Sequence, residues 1–233
     1  GSDLDLSFDR VHDTGPEDAF IQVYWSTPLK YNDKKGHHIV TVHPYISVGA
    51  WLPSGKKKNQ DNLFSLPMGN DGHLGISLES ALNFEFPGMC LFNIGGGVTI
   101  FNERSIDNFR VPNSRYQSSI YPWKATIKRR PGTTWNFNAS MKAKNFVDTL
   151  SFFCDYVYSR HEKDSISVDS TRSSYFIPSK LENESSWKDQ MVQVGFSYDV
   201  TENLALGLCG QSHISGEKIY KSQTVMGNVC FTF

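Results

Sequence analysis

Trp135-Asn136-Phe137-Asn138-Ala139-Ser140-Met141-Lys142-Ala143-Lys144 alternates apolar and polar residues without a break. Successive side chains of an extended strand point to opposite faces, so Trp135, Phe137, Ala139, Met141 and Ala143 share one side. Asn136, Asn138, Ser140, Lys142 and Lys144 share the other. A helical period of 3.6 residues would scatter both sets around the axis, so the stretch is a strand with two faces of different polarity.

The same two-residue period continues outward. After a turn near Asn145 to Asp148, Leu150, Phe152, Cys154, Tyr156 and Tyr158 alternate with Ser151, Asp155 and Ser159. Upstream, Leu74, Ile76, Leu78, Ser80, Leu82, Phe84 and Phe86 oppose Gly75, Ser77, Glu79, Ala81, Asn83 and Glu85. Pro87-Gly88 makes a turn, and the pattern resumes from Cys90 to Ile100, which predicts a hairpin. Downstream, Val192 to Val200, Leu204 to Cys209 and Thr224 to Phe233 follow the rule, with Thr201-Glu202-Asn203 as a turn. Ile39 to Leu52 reads as a strand kinked at Pro44, and Phe20 to Trp25 as a weaker one. Nine or ten strands follow from this pattern, and the loops leave room for more. Pro53 to Asn70 and Arg160 to Ser186 are too long and polar for hairpin turns, so both are expected as exposed loops, the second with a strand extension around Tyr175 to Ile177. Between Arg104 and Arg130 a strand is expected over Tyr116 to Ile127, though Pro112 and Pro122 interrupt the region.

Composition narrows the solvent. Aromatic residues make up 13% of 233 residues and charged residues 20%, while mean hydropathy is −0.40. That combination suits strands whose faces meet lipid on one side and water on the other. No apolar run approaches the length of a membrane-crossing helix, so a membrane reading requires a closed barrel. The polar faces carry small residues such as Gly75, Ser77, Asn136 and Ser197, which fit a hydrated lumen, and short connections alternate with long ones. A net charge of −1 gives no electrostatic reason to expect nucleic acid. Cys90, Cys154, Cys209 and Cys230 lack metal-type spacing and are read as small apolar strand residues.

The final strand, Val225 to Phe233, ends on Phe233 with Phe231 two before it and Val229 two before that. In this it resembles the outer-membrane β-barrel proteins of Gram-negative bacteria, in which such a terminus is an assembly signal. The chain departs from that pattern in having Asn228, not glycine, five residues before the end, with Gly227 one earlier. Leu52-Pro53-Ser54-Gly55 and Ser65 to Gly72 resemble loop elements of porin-like barrels. The resemblance implies an outer-membrane location, membrane lipid and lipopolysaccharide as surroundings, and the barrel-assembly machinery as a partner.

Together these readings predict an all-β protein: an antiparallel transmembrane β-barrel of about 10–12 strands over residues 19–233, preceded by an N-terminal tag or extension over 1–18. Its expected function is a small porin or passive channel for small polar solutes; the alternative is a closed structural or ligand-binding barrel that uses its long loops, and a third reading is a lipid-acting enzyme that would lose hydrolysis on Ser215→Ala. Glu79, Glu85, Lys142, Lys144 and Asp155 are the charged candidates for the lumen, where opposed charges select solutes or pair to fill a narrow interior. Lys128-Arg129-Arg130 could meet lipopolysaccharide, or be a solvated loop. His37, His38 and His43 are read as polar strand-end residues and not as a metal site. His213-Ile214-Ser215-Gly216 has the His-x-Ser of outer-membrane lipid hydrolases but Gly216 where they carry Asn; loop-end polarity accounts for it, so no catalytic residue, cofactor or metal is expected.

Overall fold

The computed structural model describes residues 16–61, 69–88, 90–117, 121–169, 173–219 and 221–231. Two antiparallel sheets account for most of them. Ala19–Ser26 (β1) and Leu29–Asn32 (β2) both pair with His38–Leu52 (β3), in one register from Ala19 to Tyr31 that shifts at Asn32. They form one strand interrupted at Thr27-Pro28, because Pro28 has no N–H to give the ladder. Gly75–Phe86 (β4) and Cys90–Phe101 (β5) form the expected hairpin. Arg104–Val111 (β6) and Trp123–Arg130 (β7) then leave this sheet, and Thr134–Val147 (β8) returns to pair with β5. Leu150–His161 (β9) follows. Ser165–Val168 (β10) and the helix Pro178–Ser185 (α1) precede Trp187–Thr201 (β11), Leu204–Glu217 (β12) and Gln223–Phe231 (β13).

The large sheet has ten strands in the order β1-β3-β4-β5-β8-β9-β11-β12-β13, with β2 also on β3. β2, β4, β8 and β11 run to one end, where β3, β5, β9 and β12 begin after short turns. β3, β5, β9 and β12 finish at the other, here called the loop end. The expected closure is not present: among the described residues no ladder joins β13 to β1, and the sheet is open. With β1 and β2 taken as one strand there are nine positions, so the two edges run in the same direction. Direct closure would therefore be parallel, and antiparallel closure would need one further strand. The N-terminal residues 1–15 and the end of the assembly signal, Phe233, lie outside the described residues.

The large sheet curls nevertheless. A single cavity of about 630 Å³ is lined by residues from Ser26 on β1 through His43, Asn83, Asn93 and Ser140 to Asp155 on β9. Laid flat, those six strands would span about 24 Å at the usual inter-strand spacing. The same face covers Thr41, Ser47 and Ser77, while Val48 and Ile76 on the opposite face are more than half exposed, which makes the lined face the concave one.

Residues 160–186 are not the plain exposed loop expected. Past the end of β9, the described residues of that stretch form β10 at Ser165–Val168, a 3-10 turn at Ser173–Tyr175 and α1, and Tyr175 lies in the 3-10 turn and not in a strand. Likewise β7 starts at Trp123 and not near Tyr116, because Pro122 holds back the ladder. β10, β7 and β6 form a second, three-stranded sheet at the loop end. Its core, Val111, Ile127 and Ile166, gathers Ile106, Phe109 and Leu181 around it. The expected single domain thus carries a small second sheet with a core of its own.

Polar contacts bind this second sheet to the large one. Asp164, with a side chain 1% exposed, accepts hydrogen bonds from Arg129 Nε (2.8 Å), Gly132 N (2.9 Å) and His161 Nε2 (3.0 Å). Although burial alone would raise its pKa, these donors and the Arg129 charge hold it at about 2. Arg110, also buried, donates to Gln60 O and to Asp61, and Lys124 pairs with the same carboxylate, lowering its pKa. His73, two residues before β4, is buried, with Nδ1 3.1 Å from Asn102 O and Nε2 without a partner among the described residues. Burial lowers its pKa, and the charges of Arg129 and Arg104 act in the same direction.

Both groups make the loop end acid-sensitive. His73 binds a proton more readily unfolded than folded, so its contribution is complete above about pH 6.5 and is lost as pH falls through the lower folded value. Asp164 contributes fully above its unfolded pKa of 3.8, about 2 kcal/mol, and loses that as pH falls through about 2. The opening free energies of β6, β7 and β10, taken from amide exchange after division by the pH-dependent intrinsic rate, should fall in two stages on acidification, and His73→Gln should remove the first. Opening free energies that stay constant from pH 7 to 4 would contradict this.

Candidate functional site

The register of the large sheet sorts its side chains into rows that cross every strand. One concave row is His43, Asn83, Asn93, Ser140, Asp155, Gln193, Gln211 and Thr224, each opposite the next. Every member is polar. The adjacent convex row is Leu29, Val42, Phe84, Phe92, Met141, Cys154, Val194, Gly210 and Val225, with no charged or hydrogen-bonding side chain apart from the thiol. A one-residue shift of register would exchange these faces. The residues therefore specify the pairing as much as the pairing displays them.

Exposure runs opposite to that of a water-soluble sheet. The convex face leaves Val48 55%, Leu208 58% and Val229 59% exposed, together with Trp25, Ile46, Leu82, Ile94 and Trp135. Among the described residues, the buried apolar side chains are Val111, Tyr121, Ile127 and Ile166, all outside the large sheet. Contiguous apolar surface on this scale marks a face that meets something other than water.

The concave face is knitted by side-chain hydrogen bonds. Asn138 Nδ2 donates to Asn93 Oδ1 (2.5 Å), and Asn93 Nδ2 donates to Asn83 Oδ1 (2.5 Å), a ladder across β8, β5 and β4. Gln22 Nε2 on β1 donates to Ser47 Oγ (2.8 Å) and, across β3, to Glu79 Oε2 (3.4 Å). Small residues make room for these groups. The Asn138 side chain lies where a Cβ on Gly95 would sit, and Glu79 lies over Gly97, which gives the run Gly95-Gly96-Gly97 a steric reason.

The candidate charges are distributed unevenly. Glu85, Lys142 and Asp155 line the cavity of about 630 Å³ together with His43, whose Nε2 lies 3.5 Å from Glu85 Oε2. Glu79 lies nearer the loop end and joins Gln22 instead. Lys144 lies past Ala143–Phe152, the last regular β8–β9 pair before a register shift, and is not among the residues lining that cavity. Sequence reading did not single out His43 as a cavity residue, although its position opposite Asn83 follows once the β3–β4 register is known. Arg129 is engaged with Asp164 and Asp71, and Lys128 and Arg130 flank it on β7. Val229 and Phe231 project into the open from β13.

The arrangement offers a concavity with both charge signs and an imidazole, beside the apolar side chains of Leu91, Phe92 and Phe153. It can hold water, ions and small polar solutes. No protein-family model matches this sequence, and no curated protein matches it.

Proposed function

We propose that the large sheet spans the outer membrane of a Gram-negative bacterium, convex face to lipid, and that its concave face conducts small polar solutes passively. The observation carrying this reading is the pair of adjacent rows: an all-polar row on the concave side beside an apolar row on the convex side. In hydrocarbon every backbone group needs an internal partner, so this reading requires the free edges of β1 and β13 to be closed in the membrane. Glu85, Lys142, Asp155 and His43 would then set the field at the narrow part of the path, where opposed charges choose among solutes. Lipid, lipopolysaccharide and the barrel-assembly machinery are the partners that accompany this reading.

The test is reconstitution in planar bilayers. Stepwise conductance is expected, and Lys142→Glu should move the reversal potential toward cations, since it replaces the cavity's lysine with a third carboxylate. Absence of steps from a folded, inserted protein would overturn conduction. The second reading would then stand, a barrel that binds through its loop end. What favours that alternative is the second sheet, which gives the loop end a fixed shape.

A further inference from the structure

Asp189, His213 and Ser222 meet at the loop end of β11, β12 and β13. His213 Nδ1 is 2.7 Å from Asp189 Oδ1, and His213 Nε2 is 3.3 Å from Ser222 Oγ. A carboxylate only accepts, so Nδ1 carries the imidazole proton and Nε2 is left with a lone pair toward the serine hydroxyl. The strands make this meeting. Asp189 and His213 lie on the concave face of neighbouring strands, and extending the β12–β13 register by one residue beyond Ser212–Gln223 puts Ser222 opposite His213. A bulge at Ile214 interrupts the β11–β12 pairing beside His213: Gln190 pairs with Ser215 and Met191 with His213, which leaves Ile214 without a partner on β11. Bulges of this kind re-aim side chains next to reacting groups. The imidazole is largely covered, with 11% of its side chain exposed, while Ser222 is open to solvent.

We propose that Ser222, His213 and Asp189 form a nucleophilic triad that hydrolyses carboxylic esters. Ser222 Oγ attacks the ester carbonyl carbon as its proton passes to His213 Nε2, and Asp189 orients the imidazole and balances the imidazolium charge. The C–O bond to the alcohol breaks, the alcohol leaves with the proton from His213, and the acyl group stays on Ser222. Water, deprotonated by His213, attacks the acyl-serine. The carboxylic acid departs and the serine proton is restored. The net reaction is ester plus water to acid plus alcohol. Opposite His213 in the register stands Met191, and opposite Met191 stands Val157, an apolar surface beside the three residues. It suits an ester with a short acyl chain. Asp189 is a positioning residue; Ser222 and His213 do the chemistry.

This inference does not depend on closure of the sheet or on conductance. The test uses the full chain folded in detergent, with p-nitrophenyl butyrate as substrate and a fluorophosphonate as covalent probe. The probe should attach to Ser222, identified by peptide mass spectrometry, and labelling should vanish in His213→Ala. Ser222→Ala should lower kcat at least about 1,000-fold, and Asp189→Asn at least about 100-fold with KM little changed, Asp189→Glu recovering part. Ser222→Ala removes one hydroxyl at a strand start, and its unchanged circular dichroism separates lost chemistry from lost folding. An unlabelled Ser222 in the folded protein, or full hydrolysis by Ser222→Ala, would overturn the proposal.

Discussion

Ile94→Arg is expected to destabilise the protein in a bilayer by about 2–4 kcal/mol, the cost of a charged side chain at mid-depth on a lipid-facing strand. Ile94 is on the convex face of β5, between Leu82 and Ala139, and is 46% exposed. If that face met water instead, an arginine at so open a position would change stability by no more than about 0.5 kcal/mol. The two solvents therefore predict different results for one substitution. Guanidinium unfolding from lipid vesicles, followed by tryptophan emission, measures the difference. A variant as stable as the parent would remove the lipid-facing assignment of the convex surface.

Asp164→Ala carries the second large effect, about 3–5 kcal/mol lost from the loop end. The carboxylate satisfies a guanidinium, a backbone N–H and an imidazole at 2.7–3.0 Å, and its removal leaves all three without their shared acceptor in a covered site. The second sheet should then open while the large sheet persists. Limited proteolysis should cut between residues 162 and 186 in the variant and spare the parent at neutral pH. Asp164→Asn keeps one acceptor oxygen and should fall between the two. Equal resistance of parent and Asp164→Ala would show that Val111, Ile127 and Ile166 hold this sheet without the ion pair.

The strands of the large sheet were legible because one face is apolar and the other polar over a long run, and the period of two is then written plainly. β8 and β9, read from Trp135 and Leu150, and β4 and β5, read around Pro87-Gly88, fall where alternation put them. The second sheet was not legible. Its strands are short, β6 is broken by a register shift between Ile106 and Phe109, and β10 has only Ser165-Ile166-Ser167-Val168 to display a pattern. Pro178 at the first turn of α1 was the one local signal of a helix in a polar stretch.

Of the site, Glu85, Lys142 and Asp155 could be assigned to one face from alternation, but their common cavity depends on curvature, which alternation does not encode. Asp189, His213 and Ser222 show the same limit more sharply. Ser215 was the hydroxyl near His213 in sequence, yet the bulge at Ile214 and the β12–β13 register bring Ser222 to the imidazole instead. Contacts between strands follow register, and register follows the whole sheet.

The central claim is that the convex face touches lipid, and Trp25 reports on it directly, lying opposite Ile46 halfway along the interrupted first strand and 57% exposed. A variant retaining Trp25 with Trp51, Trp123, Trp135 and Trp187 changed to phenylalanine should be refolded into vesicles whose lipids carry bromine at mid-chain. The account predicts strong quenching of Trp25 emission by those lipids and little by aqueous iodide; quenching by iodide alone, from a protein that folds and remains in plain buffer, would contradict it.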